Sequence, residues 1–501
     1  DDLTIITRSK DLMNKVWASL KEGFEWCGLL ANAKKCRYLT FHKGELLEEE
    51  EVELGDGTMV PGGTKHGASF LGCDIPVSRD PDRVRDFLVS SLTKSLEKIT
   101  SANYGLKAKL FFYELRTLPL MRWYFTIYPS VTTDTARLLQ QRAWQAMTSW
   151  ARGPRCMSKA TFTLQMGYSV PDLRSVYAMA RCMLVARGLN DSDTMTAAIA
   201  RQAGSEGTAY NKTTLKFTKQ VLEGATTRDV KKAIVKDTER RCAKESRSRE
   251  VWRFDDFDED LIKTYNAMLH DLPEGGLRWA IKSVSNGLLT RAWWHMVDRT
   301  RGASCPICLA GKQSIGHILN GCHTALTQGR FTYRHDAVLR TMLTYITKEQ
   351  NNTVMWKRRR VWADVAPYND IANLPQGYNQ EWSNMWRPDI IISPREGYGG
   401  IIFIELTCPL ESNATAAHKK KYDKYKFFAA ALKTTYTDVR LYCVEMGSRG
   451  VPQPSFGKLK GPVLDVENYR NMTRHACRTA VLKSWEIYQH ANDPDWRPPP
   501  G

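Results

Sequence analysis

At 501 residues the chain is long enough for three or more domains, each able to bury its own core. Lys and Arg number 72 against 54 Asp and Glu, a net charge of +18 that favours a polyanionic partner. No apolar run approaches the length of a membrane-spanning helix and no signal peptide opens the sequence, and 12 cysteines in so long a chain suit a reducing cytosol or nucleus rather than a disulfide scaffold.

In chain order, DDLTIITRS places Asp1 and Asp2 at the head of a run that reads as a strand. GLLANAKKCRYLTF follows, and LLEEEEVELG with GDGTMVPGG then reads as an acidic, turn-rich insertion with a solvated edge before ASFLGCDI. From Pro81 to about Asn190, DRVRDFLVSSLTKSLEKI, YGLKAKLFFYELRTLPLMRWYF and TARLLQQRAWQAMTSWA repeat apolar residues at three and four spacing, which predicts helices. GSEGTAYNKTT, Gly204–Thr214, is small and polar and reads as a linker. TERRCAKESRSREVWRF mixes Arg and Lys with Trp252, either a nucleic-acid contact or a charged helix face. SNGLLTRAWWHMV reads as a helix with Trp293 and Trp294 in a core, and the tail DPDWRPPPG as a frayed end.

CPICLAGKQSIGHILNGCH supplies Cys305, Cys308, His317 and Cys322 in a C-x2-C-x8-H-x4-C arrangement. Two thiolates on a tight knuckle, with His and Cys from a short returning helix, can close a tetrahedral zinc shell; His323 is an alternative fourth ligand. Four protein donors leave no open position for water, so the expected metal is structural Zn²⁺. MWKRRRVWADV follows with Lys357, Arg358, Arg359 and Arg360, a cationic patch read as a DNA backbone contact or a nuclear localisation signal.

RPDIIISPREGYGGIIFIELTCP holds two β-branched runs separated by turn chemistry, which predicts adjacent antiparallel strands. A loop centred on Gly397 pairs Asp389 with Glu405, and two carboxylates opposed across strands repel unless a cation lies between them. Mg²⁺ or Mn²⁺ suits such oxygen ligands and can activate water against a phosphodiester. The bland alternative is a strand cap at Asp389 and a solvated strand end at Glu405. ESNATAAHKKKYDKYKFFAAAL then reads as a helix with His418, Lys421, Tyr425, Phe428 and Leu432 at helical spacing, so Lys421 or Lys424 could reach back to the carboxylates or instead form a solvated basic face.

RPD, ELT, KKKYDKY and VEMGSRG in this order resemble the restriction-like endonuclease of site-specific non-LTR retrotransposons, a relative of the PD-(D/E)xK nucleases. Where the generic pattern has lysine two residues after the acid, this sequence has Thr407, and the resemblance moves the lysine to Lys421 or Lys424, without choosing between them. It also implies a metal site at Asp389 and Glu405, and a nucleic-acid-binding segment at Arg330, Arg334 and His335 after the knuckle. The opening resembles the end of a reverse transcriptase palm, with Asp1 and Asp2 in the polymerase metal site, Asn32 and Lys35 in the next motif and an FLG hairpin at Phe70–Gly72.

The implied architecture is multidomain α+β. A palm remnant would span 1–76, a helical thumb 77–190, a helical linker 191–300, a CCHC zinc knuckle 301–336 and an α/β restriction-like nuclease 337–490, with a disordered tail over 491–501. The implied function is nicking of double-stranded target DNA in the nucleus, which primes reverse transcription of the element RNA by a longer polypeptide of which this would be the C-terminal part. Two alternatives stay open: a non-catalytic zinc-containing nucleic-acid-binding remnant of a decayed element, and a host structure-specific nuclease.

Overall fold

The computed structural model describes residues 5, 7–30, 32, 36–42, 45–47, 51–62, 68–70, 73–75, 81–128, 131–158, 160–164, 167–205, 214–245, 259–352, 359–370, 374–375, 386–394 and 399–499. Asp1, Asp2, Lys35, Leu71, Gly72, Trp252, Lys357 and Arg358 lie outside these residues. The fold is mixed α+β, mainly helical with small sheets. It divides into two compact units, one of Asp1–Ser101, Phe112–Ala143 and Asp172–Ile234, the other of Ala102–Phe111, Trp144–Pro171 and Val235–Gly501. The helical stretch expected as one thumb contributes to both.

In the first unit Pro81–Ser101 is helical because Val84, Leu88, Leu92, Leu96 and Ile99 recur on one face, and all are buried. A second cluster joins Cys182 and Val185 to Phe217, Val221, Val230 and Ile234 from later helices. In the acidic insertion Glu51–Glu53 pairs with Met59–Pro61; Glu51 and Glu53 are exposed, as a solvated edge requires, while Val52 opposite Val60 is buried because EVE and MVP alternate at the strand period. Ala68–Phe70 pairs with Cys73–Ile75, Phe70 opposite Cys73, as a hairpin at FLG requires. Lys10–Trp26 is a helix that the sequence reading leaves unassigned; Ser9 starts it by accepting from the Leu12 N–H at 3.2 Å.

The second unit is built on a four-stranded sheet ordered Asp438–Glu445, Gly400–Thr407, Ile390–Pro394 and Arg359–Ala363. The first pair is parallel and the others antiparallel. Ile390 lies opposite Ile404 and Ile392 opposite Ile402, the register expected for a loop centred on Gly397. Parallel neighbours need a crossover, and the Ala414–Leu432 helix supplies it. Ile391, Ile401, Phe403 and Trp362 meet Tyr425, Phe428 and Leu432 of that helix in one apolar cluster, each such side chain contributing about 1.5–3 kcal/mol. Arg330–Asn352 and Val466–Gln489 pack along one another, and the former also touches Gly400–Thr407. Burial on both faces explains why the central strands read as continuous apolar runs.

Candidate functional site

Residues two apart on a strand face the same side, so Glu405 continues the Ile401 and Phe403 stripe toward the Ala414–Leu432 helix. The side chain is therefore buried, at 2% exposure. Lys421 reaches down from the helix and donates to Glu405 Oε1. Glu405 Oε2 is buried without a hydrogen-bond partner among the described residues. Asp389, after Pro388 and before the Ile390–Pro394 strand, crosses to the next strand, where its Oδ2 accepts from the Leu406 N–H at 2.7 Å. Burial, and then the Asp389 charge, push the Glu405 carboxyl up to about 7 against the pull of Lys421. Burial opposes the charge on Lys421, but Glu405 and then Asp389 outweigh it and raise its ammonium.

Lys424 does not reach these carboxylates. Its Nζ lies 3.1 Å from Tyr425 Oη and 4.6 Å from that ring's centre, and it acts on Glu405 only through its field. Of the two lysines at helical spacing, the structure brings Lys421 to the site.

His335 joins the site from the Arg330–Asn352 helix. Its Nε2 is 3.4 Å from Asp389 Oδ2 and 3.2 Å from the Leu406 carbonyl oxygen, and its Nδ1 is 3.0 Å from Asp336 Oδ1. Burial works against its charge, yet Asp336 and Asp389 raise the imidazolium well above its ordinary value. Expected as a nucleic-acid contact, His335 instead contacts a candidate metal-binding carboxylate.

The second cluster is Cys305, Cys308, His317 and Cys322, whose donor atoms all lie within 4.8 Å of one another. Cys308 Sγ is 3.4 Å from His317 Nε2. The knuckle closes through Cys305 N–H to Gly311 O at 2.8 Å and Leu309 N–H to Cys305 O at 2.9 Å. Gly311 leaves room for the His317 ring there, since a Cβ would lie 2.8 Å from His317 Cε1 and the ring would have to shift. His317 comes from the single irregular helical turn His317–Gly321, and Cys322 ends it. Burial keeps the His317 imidazole below its ordinary value and so neutral, the form that binds metal. Burial pushes the Cys322 thiol up to about 11; on Cys308 the same effect is outweighed by the Ala310 and Gly311 amides and its cysteine neighbours, which lower it. Three sulfurs and one imidazole can hold a metal such as zinc, and His323 is not among the grouped donors.

Two of the expected phosphate contacts need correction. Arg330 and Arg334 are each 1% exposed. Arg330 donates to Gln328 Oε1 at 2.7 Å and to the carbonyls of His490, Asp493 and Trp496 at 2.8, 2.6 and 3.0 Å. Arg334 donates to Leu319 O and Cys408 O, each at 3.0 Å, and to Ser484 Oγ at 3.2 Å. Both guanidinium groups are buried and bonded to oxygens of the protein, so neither is presented to a phosphate at the surface.

The same bonds overturn the disordered tail over its described part. Trp496 stacks on His490 at 4.5 Å and lies under the Arg330 guanidinium at 4.9 Å. Trp293 and Trp294 are half-buried rather than core. Arg359 and Arg360 lie on the edge strand, Arg359 half-buried and Arg360 exposed, while Lys357, Arg358, Asp1 and Asp2 fall outside the described residues. No helix among the described residues is long and apolar enough to cross a membrane. No family model matches the chain, and no curated protein matches it either.

Proposed function

We propose that this chain is a metal-dependent DNA endonuclease of the kind carried by site-specific non-LTR retrotransposons. It would nick double-stranded target DNA in the nucleus to prime reverse transcription of an element RNA. The observation that carries the reading is Glu405, buried beside Asp389 and pinned through one oxygen by Lys421, with its other oxygen unpartnered among the described residues. An orphaned buried carboxylate oxygen beside a second carboxylate fits a divalent cation, and Asp389 and Glu405 would hold Mg²⁺ or Mn²⁺. That ion would supply charge neutralisation at the phosphate and a more acidic water.

The chain's own residues do the rest. Lys421, oriented by Glu405, offers its remaining ammonium hydrogens to the developing charge on phosphorus oxygens. His335 and the Leu406 amide fix the orientation of Asp389. The Cys305, Cys308, His317 and Cys322 cluster would hold a structural zinc, because four protein donors leave no vacancy for substrate.

Incubating the full chain with supercoiled plasmid, with and without Mg²⁺, tests the reading. Wild type should produce nicked circles only with the ion, and Asp389→Ala or Glu405→Ala should abolish nicking while DNA binding persists. Equal nicking by the double variant would end the proposal. Cys305→Ser should lower the zinc content, and an unchanged content would count against the zinc assignment.

A further inference from the structure

One helical turn before Lys421, the Ala414–Leu432 helix carries His418, whose Nδ1 lies 3.0 Å from Glu445 Oε1. Glu445 ends the strand parallel to the one bearing Glu405, with Cys443 opposite Glu405 and Glu445 opposite Thr407. Residues two apart share a face, so both acids face the same helix. One meets Lys421 and the other meets His418.

Glu445 is 2% exposed and held before the imidazole reaches it. Its Oε2 accepts from Ser455 Oγ at 2.6 Å, and the same hydroxyl oxygen accepts from the Glu445 N–H at 3.1 Å. With the carboxylate accepting, the network assigns the imidazole hydrogen to Nδ1, which leaves a lone pair on Nε2. Nε2 has no hydrogen-bond partner among the described residues. The ring is half-buried and lies parallel to Tyr422, at 6.4 Å and 9°. A buried carboxylate that fixes the tautomer and orientation of a partly exposed imidazole is the arrangement by which histidines serve as general bases.

We infer that His418 is the general base of the proposed cleavage, oriented by Glu445 and Ser455. The inference rests on the nuclease reading, because Cβ atoms three apart on a helix lie about 5–6 Å from one another, which brings His418 beside the Lys421–Glu405 pair. A charged lysine has donors only and cannot take a proton. In the step, Nε2 takes one proton from water as the water oxygen bonds to phosphorus. The bond from phosphorus to the 3′ oxygen breaks, that oxygen takes a proton from solvent, and His418 later returns its own to solvent. The products are a 3′ hydroxyl and a 5′ phosphate.

The test uses the full chain on supercoiled plasmid with Mg²⁺. His418→Ala should nick about 100-fold more slowly with plasmid binding unchanged, and added imidazole should restore part of the rate. His418→Asn keeps a donor toward Glu445 and should fold as wild type yet remain slow, which separates proton transfer from folding. Nicking by His418→Ala within two-fold of wild type, or a slow rate that imidazole does not lift, overturns the assignment. If His418→Ala nicks normally while Asp389→Ala is dead, this inference fails and the nuclease reading stands. A wild-type chain that nicks with neither Mg²⁺ nor Mn²⁺ overturns both.

Discussion

Two buried carboxylate–cation pairs lie close in sequence and differ in how completely they are closed. Glu411 accepts from the Arg449 backbone N–H at 2.8 Å through Oε1 and from Arg449 Nε at 2.6 Å through Oε2, and Arg449 also donates to Ser283 O at 3.3 Å. Even the backbone is shaped to it, since a Cβ at Gly447 would collide with the Glu411 carboxylate. Glu405 has Lys421 on one oxygen and, among the described residues, no partner on the other, with Asp389 adding like charge. The closed pair joins the loops that follow the two strands bearing Glu405 and Glu445, helped by Ser448 N–H to Pro409 O at 2.7 Å. The open pair leaves one buried carboxylate oxygen unbonded among the described residues, which is the feature the proposed metal site rests on.

The largest expected effect breaks the closed pair. Arg449→Ala leaves the Glu411 charge buried without its partner and should cost about 3–5 kcal/mol of unfolding free energy in urea. A loss below about 1 kcal/mol would mean that the pair fastens nothing.

The next effect belongs to the open pair and has a defined sign. The Glu405 carboxyl is pushed up to about 7 from an ordinary 4.5, so the folded state holds this proton more tightly than the unfolded state does. In magnesium-free buffer this group should therefore lower stability as pH rises from about 4.5 to about 7, by at most on the order of 3 kcal/mol. His335 is raised too, and its contribution is lost at higher pH, as pH climbs through its folded value. Comparing wild type with Glu405→Gln isolates Glu405, because the glutamine variant should lack the decline between those two pH values. Parallel curves for the two proteins would show that Glu405 carries no strained charge.

What was legible in the sequence follows from range. The strand register was readable, because the turn residues around Gly397 and the β-branched runs on both sides are local signals. The grouping of Cys305, Cys308, His317 and Cys322 was readable for the same reason. The choice between Lys421 and Lys424 was not: both lie at helical spacing, and the helix's rotation is fixed by Tyr425, Phe428 and Leu432 in the core and by Tyr425 Oη donating to Arg387 O at 2.8 Å. Arg330 and Arg334 look like a basic patch in one dimension. Their partners include carbonyls of residues 408, 490, 493 and 496, which no local pattern announces. The ordered tail was hidden for the same cause, since a segment rich in proline has no packing signal of its own until a buried guanidinium collects its carbonyls.

Removing the cation of the open pair should cost less than removing that of the closed one. Lys421→Met loses a charge-assisted hydrogen bond to a buried acid, but the lysine is about a third exposed, which screens the pair. At pH 8 the loss should be about 1–2 kcal/mol, and near pH 5.5 it should shrink, because Glu405 can take a proton in its partner's place. A cost as large as that of Arg449→Ala, unchanged with pH, would erase the distinction between the pairs.

The smallest effect asks whether the open side of Glu405 takes a cation at all. A ligand that binds only the folded state stabilises it by RT ln(1 + [L]/Kd), so Mg²⁺ at several times its dissociation constant should add about 1 kcal/mol. The gain should grow as pH rises past 7, where Glu405 is ionised, and should vanish in both Asp389→Ala and Glu405→Gln. Thermal unfolding of the three proteins across a magnesium titration reads this directly. Equal gains in all three would place the ion elsewhere, and no gain in wild type at any concentration would leave the unpartnered oxygen of Glu405 without the charge it is argued to await.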